Sequence, residues 1–200
     1  MKTAKIISII GHPIFLPTWM MAILLLSGIT RFSPDNNWIY LIVTFSTTCI
    51  IPALVIIMMK RWNLIKSVEM ESRDERLGPL LIMIMFIYAT LKFFNKIPIF
   101  SFFTFYMTTT AVVTVLAFLI TLFWKISLHT IGWGSFVACL FVMTTVSVRL
   151  YLPYFIGGII IAGIVAAARL KLHSHNSQQI YTGFATGFAT VIIMYFLLLA

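Results

Sequence analysis

Two short stretches carry most of the side chains in this chain that could do chemistry. Lys125-Ile126-Ser127-Leu128-His129 sets a hydroxyl two residues before an imidazole. The longer stretch, from Arg169 to Gln179, sets a guanidinium six residues before His175 and an amide four residues after it. If the helix that follows is regular from about His175, then His175 and Gln179 form an i, i+4 pair on one face. An amide oxygen placed there accepts the Nδ1 proton and leaves Nε2 unprotonated, the arrangement a histidine nucleophile needs. Acid is scarce: Asp35, Glu69, Glu71, Asp74 and Glu75 are the only carboxylate side chains, four of them within one polar stretch. Metal-dependent transfer of lipid diphosphates needs clustered Asp on helices. The cluster here is mostly Glu in a loop interspersed with arginines, so neither a metal nor another cofactor is expected.

The elements that must position these groups are membrane spans. Of 200 residues, 61% are hydrophobic and 10% charged, far from the balance of a water-soluble domain. Apolar runs near 6–29, 38–59, 80–94, 99–124, 131–148, 155–168 and 180–199 predict an all-α polytopic bundle of seven transmembrane helices, or six if one short run is re-entrant. The chain reads as a single membrane domain over 1–200. The first run is too long for a signal peptide and has no small-residue cleavage pattern behind it. Ser33-Pro34-Asp35-Asn36-Asn37 and Asn95-Lys96-Ile97-Pro98 read as turns, and Pro79 suits a first helical turn. Small residues at 158, 162, 166, 183 and 187 predict close helix packing. Cys49 and Cys139 lie in apolar runs and read as small hydrophobes. His12, before Pro13, reads as a kink or cap more than as a site residue.

With seven spans, the loops at 60–78, 125–129 and 169–179 emerge on one face together with the amino terminus. Ten of the 14 cationic residues and all four histidines then share that face, and Arg31, Lys92, Lys96 and Arg149 take the other. Either the positive-inside rule or an anion site explains the bias. Lys92 and Lys96 read as snorkelling side chains, and His173 as solvent-facing. No basic face suited to nucleic acid can be built from so few charges.

At these residues the chain resembles the type 2 phosphatidic acid phosphatase superfamily of membrane lipid phosphatases, whose motifs are K-x6-R-P, P-S-G-H and S-R-x5-H-x3-D. Ser127 and His129 keep the second motif without its Pro and Gly; Arg169 and His175 keep the third at family spacing, with Ala168 and Gln179 in place of Ser and Asp. Lys66 and Arg73 have the spacing of the first motif, with Asp74 in place of Pro, and Arg76 with Pro79 is a rival alignment. The resemblance covers roughly residues 60–190 and suggests a divergent bacterial branch.

It implies a phosphatase of lipid phosphates or diphosphates, in which His175 attacks phosphorus and forms a phosphohistidine. His129 would protonate the leaving alkoxide and then activate water. Arg169, Ser127, Lys66 and Arg73 or Arg76 would hold phosphate oxygens, as guanidinium forks do. Membrane lipids and an anionic lipid phosphate would be the partners, in the cell (inner) membrane, with an outward-facing site. Because Gln179 can orient an imidazole but not neutralise an imidazolium, a catalytically weak lipid-phosphate-binding or carrier protein is the alternative. A channel or purely structural role has no positive feature beyond hydrophobicity.

Overall fold

The computed structural model describes residues 1–28, 37–67, 70, 72–95 and 101–198. Arg31, Glu69, Glu71 and Lys96, with residues 33–36 and 97–98 of the two turn clusters, lie outside the described residues. The protein is an all-α, multi-pass membrane protein. Among the described residues six helical passes are long and apolar enough to cross a bilayer: Lys2–Leu26, Trp38–Arg61, Asp74–Phe94, Phe102–Thr121, Val148–Lys171 and Ser177–Leu198. A further apolar helix, Leu128–Thr144, is shorter.

The chain divides into two compact units. The first joins Met1–Leu16 to Lys125–Ala200, and the second is Pro17–Trp124. In the first unit, α1 (Lys2–Ile10) stops at Gly11, whose N–H bonds the Ile7 carbonyl at 2.8 Å. Pro13 has no N–H to give a helix and crowds the preceding turn, so the helix has to break here. His12 repairs part of the break by accepting the Ile14 N–H on Nδ1 at 3.3 Å, ahead of a single 3-10 turn over Pro13–Phe15. The cap expected at His12 is therefore present. A Cβ on Gly11 would run into Val165 of α8 (Val148–Lys171), so the glycine lets α1 lie against that helix.

The short helix α7 (Leu128–Thr144) has 17 residues, about 25 Å at 1.5 Å per residue, against a hydrocarbon core of about 30 Å. Thirteen of the 17 are buried, so α7 is the core of its unit, wrapped by the others. Its apolarity is all-round, as expected for a fully enclosed helix. Against it lies α9 (Ser177–Leu198), and the two approach through glycine on both sides. A Cβ on Gly134 of α7 would strike the Phe184 carbonyl of α9, and one on Gly187 of α9 would strike the Ile131 carbonyl of α7. The close packing expected at 183 and 187 is thus observed. At 158, a Cβ would come within 3.1 Å of Leu140, also on α7. The pass expected from the run near 155–168 begins at Val148, because Arg149 and Pro153 interrupt the apolar run without ending the helix. Proline is tolerated in membrane helices where neighbours meet the freed carbonyl.

The second unit holds α2 (Leu16–Leu26) from Pro17 onward, α3 (Asn37–Phe45), a π-helical turn over Ser46–Ile50, α4 (Ile51–Arg61), α5 (Leu77–Phe94) and α6 (Ser101–Thr121). Within it the Thr90 hydroxyl donates to that of Thr47 at 2.8 Å, and Phe94 packs edge-on to Phe103 with centroids 4.8 Å apart.

Candidate functional site

The chemistry-bearing residues of the first unit are placed by how α8 stops and α9 starts. At the end of α8, His173 takes a left-handed backbone (φ 51°). Its N–H bonds the Leu170 carbonyl at 2.9 Å, and the Ser174 N–H bonds that of Arg169 at 3.3 Å. Together these make the paired stop known as a Schellman motif. His173 itself is exposed, as expected. Three residues on, Asn176 caps α9. Its Oδ1 accepts the Gln179 N–H at 2.9 Å while Gln179 Oε1 accepts the Asn176 N–H at 3.3 Å, a reciprocal capping box.

His175 sits between this stop and this start, and Gln179 Oε1 also lies 2.8 Å from its Nδ1. The expected pair forms, but by a different route: α9 begins at Ser177, so His175 precedes the helix and the amide reaches back to it. The backbone N–H of Asn176 can only donate, which fixes the amide oxygen, not its nitrogen, towards His175. Nδ1 therefore carries the proton and Nε2 the lone pair. His175 is buried.

His129 stands in the first turn of α7, after the N-cap Ser127, whose Oγ accepts the Thr130 N–H at 3.4 Å. Ser127 N–H reaches the Gln179 carbonyl at 3.5 Å, which brings the N-terminal ends of α7 and α9 side by side. Both ends carry positive partial charge, which favours an anion. His129 Nε2 lies 3.0 Å from the Ser8 carbonyl, an acceptor only, so the neutral ring carries its proton on Nε2. Arg169, in the last turn of α8, donates from Nη1 to Ser8 Oγ at 2.9 Å. The His12 and His129 rings meet edge to face at 4.9 Å, and Trp133 Nε1 donates to the Gly11 carbonyl at 2.9 Å, fastening α1 to α7. His12, Arg169 and His175 are all within electrostatic reach of His129. The two segments that form this unit contain neither Asp nor Glu.

Of the residues singled out in the sequence, the first unit thus brings together Ser127, His129, Arg169, His175 and Gln179. Lys66, Arg73 and Arg76 belong to the second unit. There Lys66 is exposed. Arg73 pairs with Asp74 at 3.2 Å and donates to the Phe123 carbonyl at 3.2 Å, just past the end of α6. Arg76 is only 5% exposed and donates from Nε to the Met70 carbonyl at 3.0 Å, so of the two rival arginines it is the buried one.

Ser8 is the residue the sequence reading missed. Its signal was present, since Ser8 and His12 stand four apart in an otherwise apolar run and so share one side of the first pass. Comparisons of the chain with protein-family models, with curated proteins and with solved structures find no match.

Proposed function

We propose that the protein is an integral membrane phosphatase that hydrolyses a lipid phosphate or diphosphate through a phosphohistidine on His175. The observation that carries this reading is the 2.8 Å contact of Gln179 Oε1 with His175 Nδ1, which puts the lone pair on Nε2. In the first step Nε2 attacks phosphorus, an N–P bond forms, and the bond to the lipid alkoxide breaks. His129 enters this step as the imidazolium and gives the alkoxide one proton, which leaves the neutral ring. In the second step His129 accepts a proton from water, the hydroxide attacks phosphorus, and the N–P bond breaks to release phosphate. Arg169 and the N-terminal ends of α7 and α9 stabilise the charge on the phosphoryl oxygens, and the Ser127 hydroxyl, whose oxygen caps α7, has its proton left to donate. The resemblance supplies the reaction class and suggests a bacterial cell membrane with the site facing outward.

The test is phosphate release from a panel of lipid phosphates and diphosphates by the purified protein in detergent, with a chelator present. Release that persists in chelator supports the phosphatase. Binding of a lipid phosphate without release, and with no trapped phosphoenzyme, moves the assignment to the binding or carrier reading, which the neutral amide at 179 favours.

Gln179 also gives a directional prediction. Gln179→Glu keeps the capping box, since Glu serves at that position as well as Gln, and adds a charge beside the imidazolium that forms as the ring attacks. Phosphate release by Gln179→Glu will rise by about tenfold or more over the parent protein, in keeping with the value of a carboxylate behind a histidine. A fall in rate with the fold intact would show that the site does not need that charge.

A further inference from the structure

We infer that Ser8, on the first helix, is a third ligand of the bound phosphoryl group, completing a seat shared with Arg169 and His129. The inference rests on the reading above, that an anion occupies this unit. Ser8 is buried and touches both partners. Its Oγ accepts from Arg169 Nη1 at 2.9 Å and lies 3.4 Å from His129 Nε2, while its carbonyl takes the Nε2 proton at 3.0 Å.

The direction of these bonds gives Ser8 its role. The guanidinium can only donate, so Ser8 Oγ is the acceptor there. His129 Nε2 already carries a proton directed at the Ser8 carbonyl, so that nitrogen cannot accept the hydroxyl proton either. The hydroxyl proton is therefore offered elsewhere, from an oxygen held against the two groups that face the anion. A phosphoryl oxygen entering between Arg169 and His129 meets the guanidinium and the Ser8 hydroxyl directly, and gains a third donor when the imidazole Nε2–H turns to it from the Ser8 carbonyl. Such a seat takes a tetrahedral oxyanion presenting several oxygens at once, a phosphate monoester or the terminal phosphate of a diphosphate. It also explains why α1 is fastened to α7 by the Trp133 bond to the Gly11 carbonyl, one turn beyond Ser8.

The experiment compares the full-length protein with Ser8→Ala and Ser8→Thr in the same detergent. It reads the inhibition constant of orthovanadate and direct binding of inorganic phosphate, alongside KM and kcat on a lipid phosphate. Alanine suits the helix interior at least as well as serine, so Ser8→Ala is expected to fold, and a thermal melt checks this. Loss of one donor to a charged oxygen is expected to weaken orthovanadate and phosphate about tenfold or more and to raise KM with a smaller change in kcat. Ser8→Thr, which keeps the hydroxyl, is expected to restore most of the affinity.

Unchanged anion affinity in a folded Ser8→Ala protein overturns the inference and leaves the phosphatase reading standing. So does equal weakening in Ser8→Ala and Ser8→Thr, which marks a packing effect. Should Ser8→Ala not fold, Ser8→Cys, which keeps the size but only a weak donor, takes its place: weakened affinity beside a parental Ser8→Thr supports the inference, and parental affinity in Ser8→Cys overturns it. If the parent protein itself binds neither anion and releases no phosphate, the reading beneath the inference fails, and the inference with it.

Discussion

His175→Ala will reduce phosphate release from a lipid phosphate to background, a loss on the order of 10⁴-fold or more, as removal of a covalent nucleophile does in other enzymes. The ring belongs to neither helix. It precedes α9 and follows the stop of α8, and both the Schellman bonds and the capping box are made by other residues. The variant still loses a buried ring and its bond to Gln179, at a cost of about 1 to 3 kcal/mol, so a thermal melt accompanies the assay. Two measurements check the chemistry: phosphate release, and trapping of a phosphoenzyme from labelled substrate by an alkaline, denaturing quench. A phosphorus–nitrogen bond is labile to acid and stable to base, so the label should show that behaviour in the parent and be absent in His175→Ala. His173→Asn is the control. Its side chain is exposed, and asparagine accepts the left-handed backbone that the stop of α8 requires. It should leave release unchanged. Activity that survives in His175→Ala would remove the phosphohistidine from the mechanism whatever the substrate.

The second large effect is structural. Gly187→Ala places a methyl group against the Ile131 carbonyl and within 2.9 Å of the Ser135 nitrogen, both main-chain atoms of the buried helix α7. No rotamer change relieves a clash with backbone, so α9 has to move away from α7. Overpacking usually costs about 1 to 3 kcal/mol, and a backbone collision belongs at the upper end. The movement also reaches the site, because α9 begins with the capping box that holds Gln179. Gly187→Ala will thus lower the melting temperature in detergent and weaken phosphate release together. Gly163→Ala is the contrast: no atom lies within 4 Å of where its Cβ would go, and alanine favours a helix over glycine by up to about 1 kcal/mol. It should melt at or slightly above the parent. Equal melting of the two variants would show that the α7 and α9 interface is looser than its geometry.

Much of this was legible in the residues. Hydropathy located each helical pass among the described residues, because a bilayer forces each backbone polar group into a helix and so leaves long apolar runs as the only solution. Boundaries were less visible. Apolar counting starts the sixth run near 155, whereas the helix begins at Val148, since a helix in its first turn carries Arg149 without penalty. The pairing of His175 with Gln179 was legible from spacing, but its geometry was not. The four-residue interval predicts two neighbours on one helix, and the same interval is also a capping box with the histidine outside it. Telling these apart requires knowing where α9 starts, and that is decided by Asn176 and by the left-handed turn at His173, a residue whose type gives little hint of it. Ser8 was missed because a serine in an apolar helix is ordinary. Its meaning comes from Arg169 and His129, which lie 161 and 121 residues away along the chain.

Those separations carry a consequence for biosynthesis. Ser8, His12 and the Gly11 carbonyl enter the membrane with the first pass, while the side chains that meet them stand between 117 and 161 residues further along. At about 5 to 20 residues per second, the early helix waits roughly 6 to 30 s for its partners. During that interval a broken helix carrying an imidazole and an open carbonyl has to be accommodated by water, lipid headgroups or the insertion machinery. Chains that stall before His129 is made should be the ones most readily cleared by membrane proteases, and the first pass the segment most often caught outside its final place.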